Sequence, residues 1–122
     1  MAILPNREQI KALLASEHDG PVIMLNLLRF SEGGRQSYLR YADNMGGMVR
    51  ERGGTMRFAG RSLTTVIGED GESWDAVALV EYPSIKDFIE ITSSPAYDKI
   101  KGDRESGLES QVLVALAERG AP

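Results

Sequence analysis

The stretch Val22-Ile23-Met24-Leu25-Asn26-Leu27-Leu28 constrains this chain more than any other. It is apolar at every position but Asn26, so it shows no alternation of wet and dry faces. A strand of that kind implies burial on both sides. It is far too short to cross a bilayer, which takes roughly 20 apolar residues as a helix. Turn residues bound it, Asp19-Gly20-Pro21 before and Ser31 to Gly34 after.

The rest of the chain must supply the cover. Asn6 with Gln9 forms a capping-box pattern ahead of Ile10, Leu13 and Leu14, which predicts a leading helix. After the strand, Tyr38, Tyr41, Ala42, Met45, Met48 and Val49 recur at helical period, over roughly 36–52. Gly46-Gly47 inside that helix suggests a close approach or a kink, and Gly53-Gly54 supplies the stop. Residues 55–67 read as a second strand with a bulge at Gly60, and 73–82 as a third. The turn Gly68-Glu69-Asp70-Gly71 makes those two antiparallel. Ser84 caps a helix to about Thr92, and Ser94-Pro95 restarts one. A last alternating strand covers 108–116, and the tail 118–122 looks frayed.

After the leading helix the order is strand, helix, strand, strand, helix, strand. That order predicts an α+β, ferredoxin-like βαββαβ fold with an extra N-terminal helix: a four-stranded antiparallel sheet with its helices on one face. Residues 1–20 would form the helical extension and 21–118 the domain. The uncovered face would carry Met24, Asn26 and Leu28, Phe58 or Trp74, and Val112 with Val114. Such a face is too apolar to leave wet, and a second copy is the simplest cover, giving a homodimer through the sheet face.

Composition narrows the function. The chain has 122 residues, enough for one core without staples. Its net charge is -4, with 14 basic and 18 acidic residues, so no nucleic acid is expected as a partner. There is no cysteine, hence no disulfide framework, thiolate nucleophile or cysteine zinc site. No phosphate loop, nucleophile elbow or His-x-x-x-His pattern occurs, so neither a metal nor a cofactor is implied. The opening residues lack a basic region followed by an apolar one, and no segment reads as membrane-spanning, so the cytoplasm is the expected compartment.

Several local wordings point to a family. Leu79-Val80-Glu81-Tyr82-Pro83-Ser84, then Phe88, then Ser93-Ser94-Pro95-Ala96-Tyr97, then Arg104 and an alternating last strand, together resemble the domain-of-unknown-function family 1330. The likeness runs from about Val22 to Leu116. It implies a dimeric α/β barrel of ferredoxin-like subunits and no particular reaction. The wider superfamily includes cofactor-free monooxygenases and haem-degrading enzymes. Trp74 with Asn26 is similar to the asparagine and tryptophan of the haem-degrading barrels. Those enzymes also use a histidine as axial ligand, and the single histidine here, His18, lies in the turn after the leading helix.

The candidate site residues are Asn26, Tyr38, Tyr41, Trp74, Tyr97 and Arg104. Asn26 interrupts a buried strand, and a buried amide needs partners: a substrate oxygen, backbone or a dimer mate. Tyr38 and Tyr41 share a helix face, and Tyr97 and Arg104 follow on a later helix. Together they would line a mouth between helices and sheet suited to a small apolar, aromatic, phenolic or carboxylate ligand. The plainer reading makes the tyrosines helix-to-sheet packing, with Arg104 paired to Glu105 or Glu109. Three functions follow: small-ligand binding, cofactor-independent oxidation or isomerisation of a small aromatic compound, or a non-catalytic dimerisation module.

Overall fold

The computed structural model describes residues 2–118. Its elements are α1 (Arg7–Ala15), β1 (Val22–Phe30), α2 (Arg35–Glu51), β2 (Thr55–Arg61), β3 (Ala76–Tyr82), α3 (Ile85–Thr92), α4 (Pro95–Gly107) and β4 (Leu108–Leu116). The four strands form one antiparallel sheet in the order β2-β3-β1-β4. This is the α+β, ferredoxin-like arrangement read from the sequence. Residues 119–122 of the tail lie outside the described residues.

The helix starts follow the capping pattern. The Asn6 side chain accepts the Gln9 N–H at 2.8 Å, and the Gln9 side chain accepts the Asn6 N–H at 2.9 Å. Ser84 and Ser94 accept the N–H groups of Asp87 and Tyr97, and Pro95 opens α4. Each cap satisfies a donor that the helix itself leaves free.

The core lies between the sheet and helices α2, α3 and α4. Val22, Met24 and Leu28 of β1 and Val80 and Tyr82 of β3 pack with Tyr38, Tyr41, Met45 and Val49 of α2, with Ile91 and Leu108. Cross-strand pairs Met24–Val80 and Asn26–Ala78 put these even-numbered positions on one side. Gly107 lets α4 end tight against α2: a Cβ there would lie 2.8 Å from the Tyr38 nitrogen and 2.9 Å from the Gly34 oxygen. That approach holds the first turn of α2 against the end of α4.

Four expectations change. The second strand ends at Arg61 and the third begins at Ala76, so residues 62–75 form a loop rather than strand ends. Leu63, Val66 and Ile67 are 84%, 89% and 94% exposed. Their spacing does not alternate, so no sheet face collects them. The register irregularity falls between Met56 and Phe58, while Gly60 pairs regularly with Val77. Gly47 has no neighbour within 4 Å of where a Cβ would sit, so it serves no close approach.

The fourth change concerns faces. Met24, Asn26 and Leu28 lie on the helix-covered side, not the open one; Met24 and Leu28 are each 2% exposed. The open side instead carries Leu25 and Leu27 of β1, Val77 and Leu79 of β3, Phe58 of β2, and Val112, Val114 and Leu116 of β4. Among the described residues no helix covers that side, and Phe58 and Val114 are 56% and 41% exposed. Arg57, paired with Glu81 and Glu118, borders it at one end.

Candidate functional site

A cleft of about 2020 Å³ opens on the helix side of the sheet. Met24, Asn26, Leu28, Ala76, Ala78 and Gln111 of the strands line it, with Tyr38 and Tyr41 of α2, Phe88 of α3, and Tyr97 and Arg104 of α4. Ile3, Leu4, Ile10 and Leu13 of the N-terminal arm and α1 line it too. The volume is roughly twice the upper end for a drug-sized ligand pocket, so this is an open groove. No residue of α1 is buried.

The tyrosines lie close together. Tyr38 and Tyr41 are 5.4 Å apart between ring centroids, and Tyr41 meets Tyr97 edge-on at 6.1 Å. The Tyr41 and Tyr97 hydroxyls are 3.3 Å apart. Burial pushes the Tyr38 phenol up to about 12, although the Arg104 charge pulls it back in part. Burial raises Tyr41 and Tyr82 as well, helped by Tyr97. These phenols stay protonated at neutral pH, so they act as hydrogen-bond donors and not as bases.

Asn26 and Arg104 join through a residue that sequence reasoning missed. Gln111 donates from Nε2 to the Asn26 Oδ1 at 2.8 Å. Its Oε1 accepts from Arg104 Nη2 at 2.5 Å. The Asn26 amide nitrogen donates to the Met24 and Ala78 carbonyls at 3.2 and 3.4 Å. Asn26 is thus satisfied by backbone and by Gln111, without a dimer mate. Arg104 Nη2 also donates to the Ile3 carbonyl, and the Gln111 N–H donates to the Ala2 carbonyl at 2.8 Å. Arg104 therefore fastens the N-terminal arm instead of pairing with Glu105 or Glu109. A polar residue at 111 in an otherwise alternating strand was the available signal. Its meaning depends on register, since it bonds diagonally to a residue 85 positions away.

Trp74 stands apart from this network. It lies in the 62–75 loop, not in a strand, with the Arg29 guanidinium 4.6 Å from its ring. Arg29 also donates to the Gly71 and Ser73 carbonyls. Asp75 accepts the Phe30 N–H at 2.8 Å and so ties the loop's end to β1, rather than orienting Arg57 or Arg61. His18 contacts the Pro21 carbonyl at 2.9 Å. Among the described residues, no three His, Asp or Glu side chains gather as metal ligands would. No helix among them is long and apolar enough to cross a membrane.

The model of the family described as "Domain of unknown function (DUF1330)" matches residues 30–117. A protein of unknown function from Rhodopseudomonas palustris, RPA0582, has a similar structure, at 30% identity and a TM-score of 0.84, over 93% of this chain and 94% of that one. A dimeric ferredoxin-like protein from Jannaschia shares the fold at 12% identity, with a TM-score of 0.61 over 81% of this chain and all of that one. A hydroxynitrile lyase from Passiflora edulis does so at 13% identity, with a TM-score of 0.64 over 86% and all. At such identities the likeness concerns fold alone. No curated protein matches the chain.

Proposed function

The chain belongs to the DUF1330 family, a family of unknown function, and from that premise we propose that it binds a small apolar or aromatic molecule in the cleft between sheet and helices. The observation that carries this reading is the composition of the cleft wall. An apolar floor of Met24, Leu28, Ala76 and Ala78 meets a fixed set of donors, the protonated tyrosines and Arg104. Apolar surface with a few placed polar groups is what small-molecule sites generally present. In this reading Tyr38, Tyr41 and Tyr97 face the ligand, and Arg104 holds one end of it. Asn26 acts indirectly, by fixing Gln111. Trp74 steadies the loop at the groove's border. Residues 1–20 serve as an extension closing one side of a unit that spans 21–118.

The second part of the reading is assembly. The open sheet face is apolar at its centre, from Leu25 and Leu27 to Val112 and Val114, and charged at its edge with Arg57 and Glu81. That is the anatomy of an interface. A second copy, sheet against sheet, covers it. Native mass spectrometry tests both parts on one sample. Twice the 13.4 kDa chain mass plus a discrete small adduct is expected. A monomer at micromolar concentration refutes the assembly. A bare dimer whose melting temperature no phenolic or quinone-like compound raises refutes the cleft reading and leaves a dimerisation module. Turnover of such a compound without added cofactor would extend binding to oxidation or isomerisation, the neutral hydroxyls stabilising an enolate or phenolate.

A further inference from the structure

Arg104 is the one cleft cation tied into the polar network, and among the described residues its partners are uncharged oxygens, Ile3 O and Gln111 Oε1. The ion pairs of the described residues use other cations: Lys11, Arg40, Arg52, Arg57, Lys86 and Lys101. The nearby phenols supply no counter-charge, since a phenol is neutral at about pH 7 and burial of Tyr38 and Tyr41 only adds to that. Asp98 at the groove is engaged by Lys101 at 3.2 Å. Asp75 is engaged by the Phe30 N–H. A half-buried guanidinium bonded only to neutral oxygens keeps donors and a charge to offer an anion.

The hydrogen bonds also determine what can complete it. Both bonds leave Arg104 from Nη2, so Nε and Nη1 have no partner among the described residues. Those two groups point to opposite sides of the guanidinium, and each can give an acid one charge-assisted hydrogen bond. Gln111 cannot turn to compete, because its amide nitrogen is held by Asn26 at 2.8 Å. Arg104 lies near enough to Tyr38 for its charge to act on that phenol, and Tyr41 and Tyr97 continue the aromatic wall from there.

We propose that the cleft takes a monocarboxylate with an aromatic or apolar body, its carboxylate on Arg104 and its body against the tyrosines. This rests on the cleft reading above and adds the charge of the ligand. Beside Arg104 the Tyr38 phenol is neutral, so one guanidinium meets one carboxylate there.

The test is calorimetric titration of the whole chain with a matched pair, 2-naphthoate and 2-naphthamide. The acid binds at least about tenfold more tightly than the amide, as a charge-assisted hydrogen bond requires. Arg104→Gln erases that preference, bringing acid and amide to the same affinity. Arg104→Lys retains the charge but not the placement of the guanidinium donors, and keeps only part of the preference; it serves also if the glutamine variant does not fold. Equal affinity of the wild type for acid and amide overturns the inference and leaves the cleft reading standing. A preference that survives Arg104→Gln also overturns it. Binding of neither compound at millimolar concentration overturns both.

Discussion

The two faces of the sheet are both rich in apolar side chains, yet they are finished differently. The helix side has polar groups tied to one another: Asn26 to backbone and Gln111, Gln111 to Arg104, the Tyr41 hydroxyl to Tyr97. The open side runs from Leu25 and Leu27 across to Val112 and Val114 with no amide or hydroxyl at its centre. A surface meant for a chemically specific small ligand needs placed polar groups, whereas one meant to meet a copy of itself needs area and shape. The difference separates the cleft from the proposed interface within one sheet.

The largest effect should come from charging each face in turn. Met24→Asp buries an unpaired carboxylate in the core and should cost more than about 4 kcal/mol, enough to unfold many domains. Val114→Asp, on the open face, should leave the circular dichroism spectrum intact while light scattering reports a monomer. If both variants unfold, the faces are not separable. If Val114→Asp remains dimeric, the open face is not the interface.

Alkali should weaken the helix side selectively. The Tyr38 phenol titrates near 12 in the fold, and Tyr41 and Tyr82 are raised too, against roughly 10 in an unfolded chain. Below pH 10 both states hold these protons and their contribution to stability is complete. Between 10 and 12 the unfolded chain releases them while the fold still holds them. Stability should therefore fall as pH rises, by about 1.4 kcal/mol per pH unit for each protected phenol. Urea midpoints at pH 8, 10 and 11.5, with phenolate absorbance, measure this. A flat profile would mean that the phenols are reached by water.

Gln111→Leu should destabilise by about 1–3 kcal/mol, because it strips partners from Asn26 and Arg104 while leaving the proposed interface untouched. A change in dimer dissociation would tie the network to the other face after all. The smallest effect is a calibration that touches neither face. Gly47→Ala, inside α2 with open space at its Cβ position, should stabilise by about 0.5–1 kcal/mol. A loss instead would show that this side of α2 is in contact with something in the assembled protein.

Much of the frame was legible locally. Asn6 with Gln9, Ser84, and Ser94-Pro95 mark helix starts because a cap is a contact between residues three apart. The order of strands and helices followed, and with it the sheet. The loop at 62–75 was misread because Leu63, Val66 and Ile67 supply strand-like composition without strand-like alternation. The tyrosines could be grouped because helical spacing joins two of them.

What the sequence by itself determined is the set of elements and the need to bury β1 on both sides. What only the tertiary structure decided is which side of β1 meets the helices. A run that is apolar at nearly every position has no period-two signal, so parity cannot be read from it. The helices and the register of β3 and β4 choose it together. The same register brings Gln111 to Asn26, and the approach of α4 to β4 brings Arg104 to Gln111. The candidate site depends on contacts across 85 residues of chain, and local pattern carries no information at that distance.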